Sequence, residues 1–171
     1  LRETKIKNLI PANSKLCDLG CGSGSLLYSL ASDIKEGVGV DYSVRQHKLA
    51  NTSFIRADLE KKIRLPSSKF DVVISLAVLE HLCKPVNLVK EAYRILKKNG
   101  RIIMTTPSKL SKPILEFLAK LNLINKQHIQ EHKNYFSKEE LRIMLKKAGF
   151  KDIKISSFEF GMNNLVTARK L

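Results

Sequence analysis

Residues 15 to 27 read Lys-Leu-Cys-Asp-Leu-Gly-Cys-Gly-Ser-Gly-Ser-Leu-Leu, an apolar run that ends in Asp18 and Leu19 and breaks into glycines at alternate positions, Gly20, Gly22 and Gly24. Glycines spaced this way let the backbone turn through left-handed conformations and close on a ligand that a Cβ would hold off. A helix-like stretch follows. In an open α/β sheet, the loop leaving the carboxyl end of the first strand is where ligands sit. This turn therefore fixes both the beginning of a fold and the position of a site.

The rest of the chain agrees with such a sheet. Residues 15 to 19, 37 to 41, 52 to 56, 70 to 76 and 100 to 106 are short Val- and Ile-rich runs without clean alternation, as expected for parallel strands buried on both faces. Helical patterns fall between most of them, at about 24 to 32, 43 to 50 and 86 to 98. The last of these has Pro85 before it, and Asn99-Gly100 at its end can supply a left-handed cap. A further helix opens with the capping box Ser137-x-x-Glu140 and stops at Gly149. After it come two extended runs joined through Gly161 to Asn164, which should pair antiparallel. The expectation is a single domain over residues 1 to 171: a doubly wound, Rossmann-like α/β fold of seven mostly parallel strands, ending in an antiparallel hairpin at one edge. Residues 107 to 136, with Pro107, Pro113 and an apolar helix-like run, read as a lid-like insertion over the carboxyl ends of the strands.

Composition limits the partners. The chain of 171 residues carries 31 Lys and Arg against 16 Asp and Glu, a net charge of +15, which favours anionic partners. The basic residues are scattered with no run of five, so a lysine-rich solvated surface is favoured over a dedicated nucleic-acid face. No apolar run approaches the ~20 residues that span a bilayer, and no signal-peptide pattern is read at Leu1. Cys17, Cys21 and Cys83 lack the further ligands of a zinc site and read as reduced thiols, so a cytoplasmic location is expected. The chain begins without methionine, which is compatible with a missing N-terminal piece.

Phosphate ligands fit the turn poorly. A dinucleotide fingerprint wants a third glycine where Ser25 stands, and no Gly-Lys-Ser/Thr closes a P-loop. The tighter Asp18-Leu19-Gly20-Cys21-Gly22-Ser23-Gly24 resembles motif I of the class I S-adenosylmethionine-dependent methyltransferases. The resemblance extends through Gly37 to Asp41, Ile55 to Asp58, Phe70 to Ser75, Leu79 to Leu82, Asn99 to Met104 and His132 to Phe150, about residues 12 to 168 in all. Asn99 stands where the family usually has proline. The late segment is similar to the small-molecule branch, which includes quinone-biosynthesis and sugar- or lipid-modifying enzymes.

The resemblance implies S-adenosyl-L-methionine as cofactor and S-adenosyl-L-homocysteine as product. It implies that Asp18, Gly20, Cys21, Gly22 and Gly24 hold the amino-acid tail and sulfonium side of the ligand. Asp41 would accept the ribose hydroxyls with Tyr42 beside it, Asp58 and Leu59 would meet the adenine, and Ser75 and Leu76 would lie near the methyl group. No metal is expected. The reaction would be an in-line displacement onto oxygen, nitrogen or carbon, driven mainly by orientation of the nucleophile. His81 is the first candidate for a general base, with His128 and His132 second. Glu80 is placed to orient His81, and Asp71 reads as structural. The expected acceptor is a small molecule, anionic and partly apolar. Two alternatives stay open: a methyltransferase of RNA or other nucleic acid, and a non-catalytic module that binds the cofactor.

Overall fold

A computed structural model describes residues 6 to 114 and 133 to 171. The chain runs β1 (Lys15–Leu19), α1 (Ser25–Leu30), β2 (Glu36–Asp41), β3 (His47–Leu49), β4 (Thr52–Arg56) and β5 (Phe70–Leu76). A 3-10 turn (Leu79–His81) then leads to α2 (Pro85–Ile95), β6 (Leu96–Pro107), α3 (Lys138–Ala148), β7 (Lys151–Phe158) and β8 (Asn163–Arg169). All eight strands form one sheet in the order β3-β4-β2-β1-β5-β6-β8-β7. From β4 to β6 the neighbours are parallel, whereas β8 runs antiparallel to both β6 and β7. The order reverses at β1, whose neighbours are β2 on one side and β5 on the other. That reversal opens a crevice at the carboxyl ends of the central strands.

The central strands are covered on both faces. On one, Ile6, Leu26, Leu27 and Leu30 pack over Leu16, Ile74 and Ile103. On the other, Leu88, Val89 and Ala92 of α2 and Leu141 and Leu145 of α3 pack over Val73, Ile102, Met104 and Val166. Adjacent strand residues thus feed opposite cores, which is why these strands read as continuous apolar runs. The Ser137–Glu140 capping box forms as expected: the Glu140 N–H donates to Ser137 Oγ at 3.2 Å, and the Ser137 N–H donates to Glu140 Oε2 at 2.8 Å. Gly149 ends the helix at φ 103°.

Two expectations fail. Residues 43 to 50 are not helical: they hold β3, which pairs antiparallel with β4 and raises the strand number to eight. Tertiary contacts decide this, since His47 stacks on Phe54 with centroids 4.5 Å apart and meets the Tyr28 hydroxyl through Nε2 at 2.6 Å. The helix expected to reach residue 98 ends at Ile95, because Leu96 turns extended and pairs with Phe70. Asn99 does take the left-handed conformation, at φ 64°, inside the strand segment rather than at a helix cap. The described ends of the expected insertion meet where Ser108 bridges Phe136; residues 115 to 132, with His128 and His132, lie outside the described residues.

Candidate functional site

The glycine turn is fastened to β2. The N–H groups of Gly20 and Cys21 both donate to the Val40 carbonyl, at 2.7 and 3.2 Å, and the Gly24 N–H closes the turn on the Cys21 carbonyl at 2.8 Å. Gly20 and Gly24 are required by close packing as well as by conformation. A Cβ on Gly20, at φ 90°, would lie 2.2 Å from Val78 Cγ2, and one on Gly24, at φ 84°, would lie 2.2 Å from Phe54 Cε1. Gly22 differs: nothing lies within 4 Å of its Cβ position. The turn is therefore walled at both ends and open in the middle.

Two carboxylates face this turn. Asp41, at the end of β2, accepts the Gly22 N–H at 2.9 Å, the Ser43 N–H at 2.9 Å and the Ser43 hydroxyl at 2.8 Å. Burial alone would raise its carboxyl, but these hydrogen bonds prevail and hold it below the ordinary carboxylate range. Asp18, only 3% exposed, sits at the end of β1 and accepts no hydrogen bond from any described residue. Burial, and then the negative charge of Asp41, push its carboxyl up to about 7. A carboxyl in this position gains most from a cationic group placed against it.

The other candidates divide by exposure. Tyr42 is exposed, with the Arg56 guanidinium 5.4 Å from its ring centre and Arg56 Nε donating to its carbonyl at 2.8 Å. Asp58 caps the following turn, accepting the Glu60 N–H at 2.9 Å and pairing with Lys61 at 3.2 Å, and both contacts lower its carboxyl. Leu59 is buried in the α2-side core. Ser75 is fully buried, its hydroxyl without a partner among the described residues, so its side chain does not line the open turn, whereas Leu76 is half-buried. Burial pushes the Cys21 thiol up to about 12, which makes it an inert wall rather than a nucleophile. Asp71 has the structural role expected of it, accepting the Lys15 N–H and the Lys97 ammonium at 2.8 and 2.7 Å.

The turn after β5 completes the crevice. Ala77 adopts φ 56°, and its N–H donates to the Thr105 carbonyl at 3.0 Å, which swings Val78 over Gly20. His81 follows in the 3-10 turn, half-buried, its N–H on the Val78 carbonyl at 3.0 Å. Glu80 is 1% exposed and accepts the Thr106 hydroxyl at 3.2 Å. Its carbonyl accepts the N–H groups of Lys133 and Asn134 at 2.8 and 3.1 Å, so the chain leaving the expected insertion is strapped to the His81 turn. Sequence reasoning missed Val78, Phe54, Ser43 and Thr106. Ser43 alone carried a local signal, a hydroxyl two residues after a strand-end aspartate.

A family profile described as a methyltransferase domain matches residues 2 to 155. An uncharacterized protein of Methanocaldococcus jannaschii is 33% identical over 91% of this chain and 73% of its own length. A ubiquinone biosynthesis O-methyltransferase of Photobacterium profundum is 23% identical over 85% of this chain and 67% of its own. Among solved structures, an S-adenosylmethionine-dependent methyltransferase of Mesorhizobium loti superposes with a TM-score of 0.77 at 20% identity, covering 97% of this chain and 96% of that one. Phosphoethanolamine N-methyltransferase 2 of Haemonchus contortus, solved with S-adenosyl-L-methionine, reaches 0.77 at 18% identity over 99% of this chain and 52% of its own. With a glycine turn walled by Val78 and Phe54, and Asp18 and Asp41 beside it, this chain belongs to the class I S-adenosylmethionine-dependent methyltransferase family.

Proposed function

We propose that this methyltransferase acts on a small-molecule acceptor whose nucleophile is a hydroxyl or phenol, with His81 as general base. The observation that carries the reading is the His81 turn: its Val78 closes on Gly20 of the glycine turn, and its Glu80 carbonyl ties down the chain beyond the expected insertion. The glycine turn and the chain leaving the expected insertion thus meet at Val78 to Glu80.

The residues suit the cofactor. Asp18 is a buried carboxyl without a hydrogen-bond donor among the described residues, suited to an ammonium or sulfonium, and Asp41 is an ionised acceptor suited to a pair of ribose hydroxyls. Asp58 and Tyr42 lie farther along the same end of the sheet, for the base. When bound, S-adenosyl-L-methionine supplies an electrophilic methyl carbon. The work left to the chain is to hold the acceptor in line and to take its proton. Proximity of this kind is worth roughly 7 to 11 kcal/mol, and a positioned imidazole about 10²- to 10⁴-fold. The name of the Photobacterium relative supports an oxygen acceptor of quinone type.

The test is methyl transfer from labelled S-adenosyl-L-methionine to a panel of catechols, hydroxyquinones, carboxylates, amines and a mixed-sequence RNA. The expected result is label in a phenolic or hydroxyquinone product. Label in RNA alone would replace the small-molecule reading, and S-adenosyl-L-methionine binding without turnover on the whole panel would favour the non-catalytic module.

A further inference from the structure

Beyond the part of the sheet that Ile6 and α1 cover, the face formed by β6, β8 and β7 carries Lys151, Lys154 and Arg169 exposed, and it is cationic. Arg101 of β6 stands directly opposite Arg169 of β8, and Arg169 directly opposite Lys151 of β7. Directly opposed residues of antiparallel strands project to the same face, and like charges so placed repel. The row is nevertheless three cations long. Lys154, opposite Thr167 in the next row, adds a fourth. None of the four forms an ion pair among the described residues; Arg101 and Arg169 reach only the Leu9 and Asn99 carbonyls, each at 3.4 Å. One acid, Asp152 at the bulge of β7 with φ 48°, lines the same groove.

Arg101, Arg169 and Lys154 line a groove of about 660 Å³, together with Leu9, Ile153 and Asp152; Lys151 is not among its described lining residues. The groove does not belong to the donor site. Arg101 pairs with Val72, which pairs with Leu16 near the start of β1, so Arg101 and Arg169 lie toward the amino ends of the parallel strands. The glycine turn leaves the other end.

We propose that this groove binds the phosphodiester backbone of a nucleic acid. A concavity lined by three cations and one acid keeps a net positive charge and gains most from regularly spaced anions, and the net charge of +15 draws such a polymer to it. A lipid surface would need an apolar side chain to insert, yet none of the exposed large apolar residues lines the groove. For the same reason, the groove offers an acidic protein no aromatic anchor. Among its described lining residues there is no aromatic ring for bases to stack on, so recognition is of backbone and not of sequence. Because groove and donor site are separate, a bound strand is tethered rather than methylated there, and the proposal does not depend on the acceptor.

The experiment is fluorescence anisotropy of a labelled RNA of about 20 nucleotides of mixed sequence, titrated at several salt concentrations. Lys154→Glu/Arg169→Glu should weaken binding at least tenfold and reduce the salt slope by about 2. Lys90→Glu/Lys147→Glu, an equal charge change on α2 and α3, should weaken it less than about threefold. S-adenosyl-L-homocysteine affinity and melting temperature should be unchanged in both, and Lys154→Gln/Arg169→Gln substitutes if the reversal does not fold. The proposal is overturned if the wild type fails to bind RNA at about 50 mM salt, if both double variants lose equally, or if vesicles of anionic lipid, rather than RNA, are held in a groove-dependent way.

Discussion

Asp41 Oδ2 accepts the backbone N–H of Gly22 at 2.9 Å, so the end of the second strand and the middle of the glycine turn are joined before any ligand is present. The bond fixes the carboxylate beside the stretch of the turn where a Cβ would meet nothing. Replacing Asp41 by alanine removes that link and an acceptor for ligand hydroxyls. Charge-assisted bonds of this type are worth about 1.5 to 3 kcal/mol each, so cofactor affinity should fall more than tenfold. Titration calorimetry with S-adenosyl-L-homocysteine on the folded variant is the check. Unchanged affinity would remove Asp41 from the site.

Asp18 supplies a pH signature. Its carboxyl titrates near 7 in the folded chain against 3.8 as a free side chain, so folding favours its protonated form. The associated stability is full below about pH 4 and is lost as pH rises toward 7. Asp18→Asn should therefore be the more stable protein at pH 8, by up to about 4 kcal/mol, and no more stable at pH 4. Cofactor affinity should move the other way. Wild-type binding tightens about tenfold per unit from pH 5 to 7 and then levels, whereas Asp18→Asn binds weakly throughout. A flat affinity profile for the wild type would refute the counter-ion role.

His81→Ala should lower kcat by about 10²- to 10⁴-fold while leaving S-adenosyl-L-homocysteine affinity within about twofold. A large loss of cofactor affinity would reassign His81 to a structural role.

Gly20→Ala tests the wall. The added methyl would meet Val78 Cγ2 at 2.2 Å in a backbone conformation that alanine resists, and overpacking of this kind costs roughly 1 to 3 kcal/mol. Pairing it with Val78→Ala should recover part of that loss in a denaturant melt. If the pair is no better than the single variant, the two residues are not in contact.

What the sequence disclosed, and what it hid, follows one physical division. The glycine turn, the strand-end acids and the Ser137 capping box are local features, and each stands where the residue pattern placed it. The extent of α2 was misread because Leu96 keeps the helical period while its backbone is taken by pairing with Phe70. Residues 43 to 50 were misread for a related reason: Val44, Leu49 and Ala50 suit a helix, but the stacking of His47 on Phe54 is visible only once β4 is in place. At the site, Val78 over Gly20 and Thr106 on Glu80 depend on how β5, β6 and their following turns lie together, a matter of register that no local motif encodes. Ser75 shows the converse, a motif position whose side chain the sheet buries.

The three-residue strand β3 has a consequence for the molecule in crowded solution. Without it, β4 would be the margin of the sheet and would present a five-residue row of open N–H and C=O groups to any other chain. With it, Thr52 to Phe54 are paired and the margin beside them is His47, Lys48 and Leu49, all exposed, with a lysine at the centre and a ring turned back onto Phe54. Short, charged margins are poor templates for a further strand. The hairpin that stands in place of a helix thus also makes β4 a poorer template for a further strand.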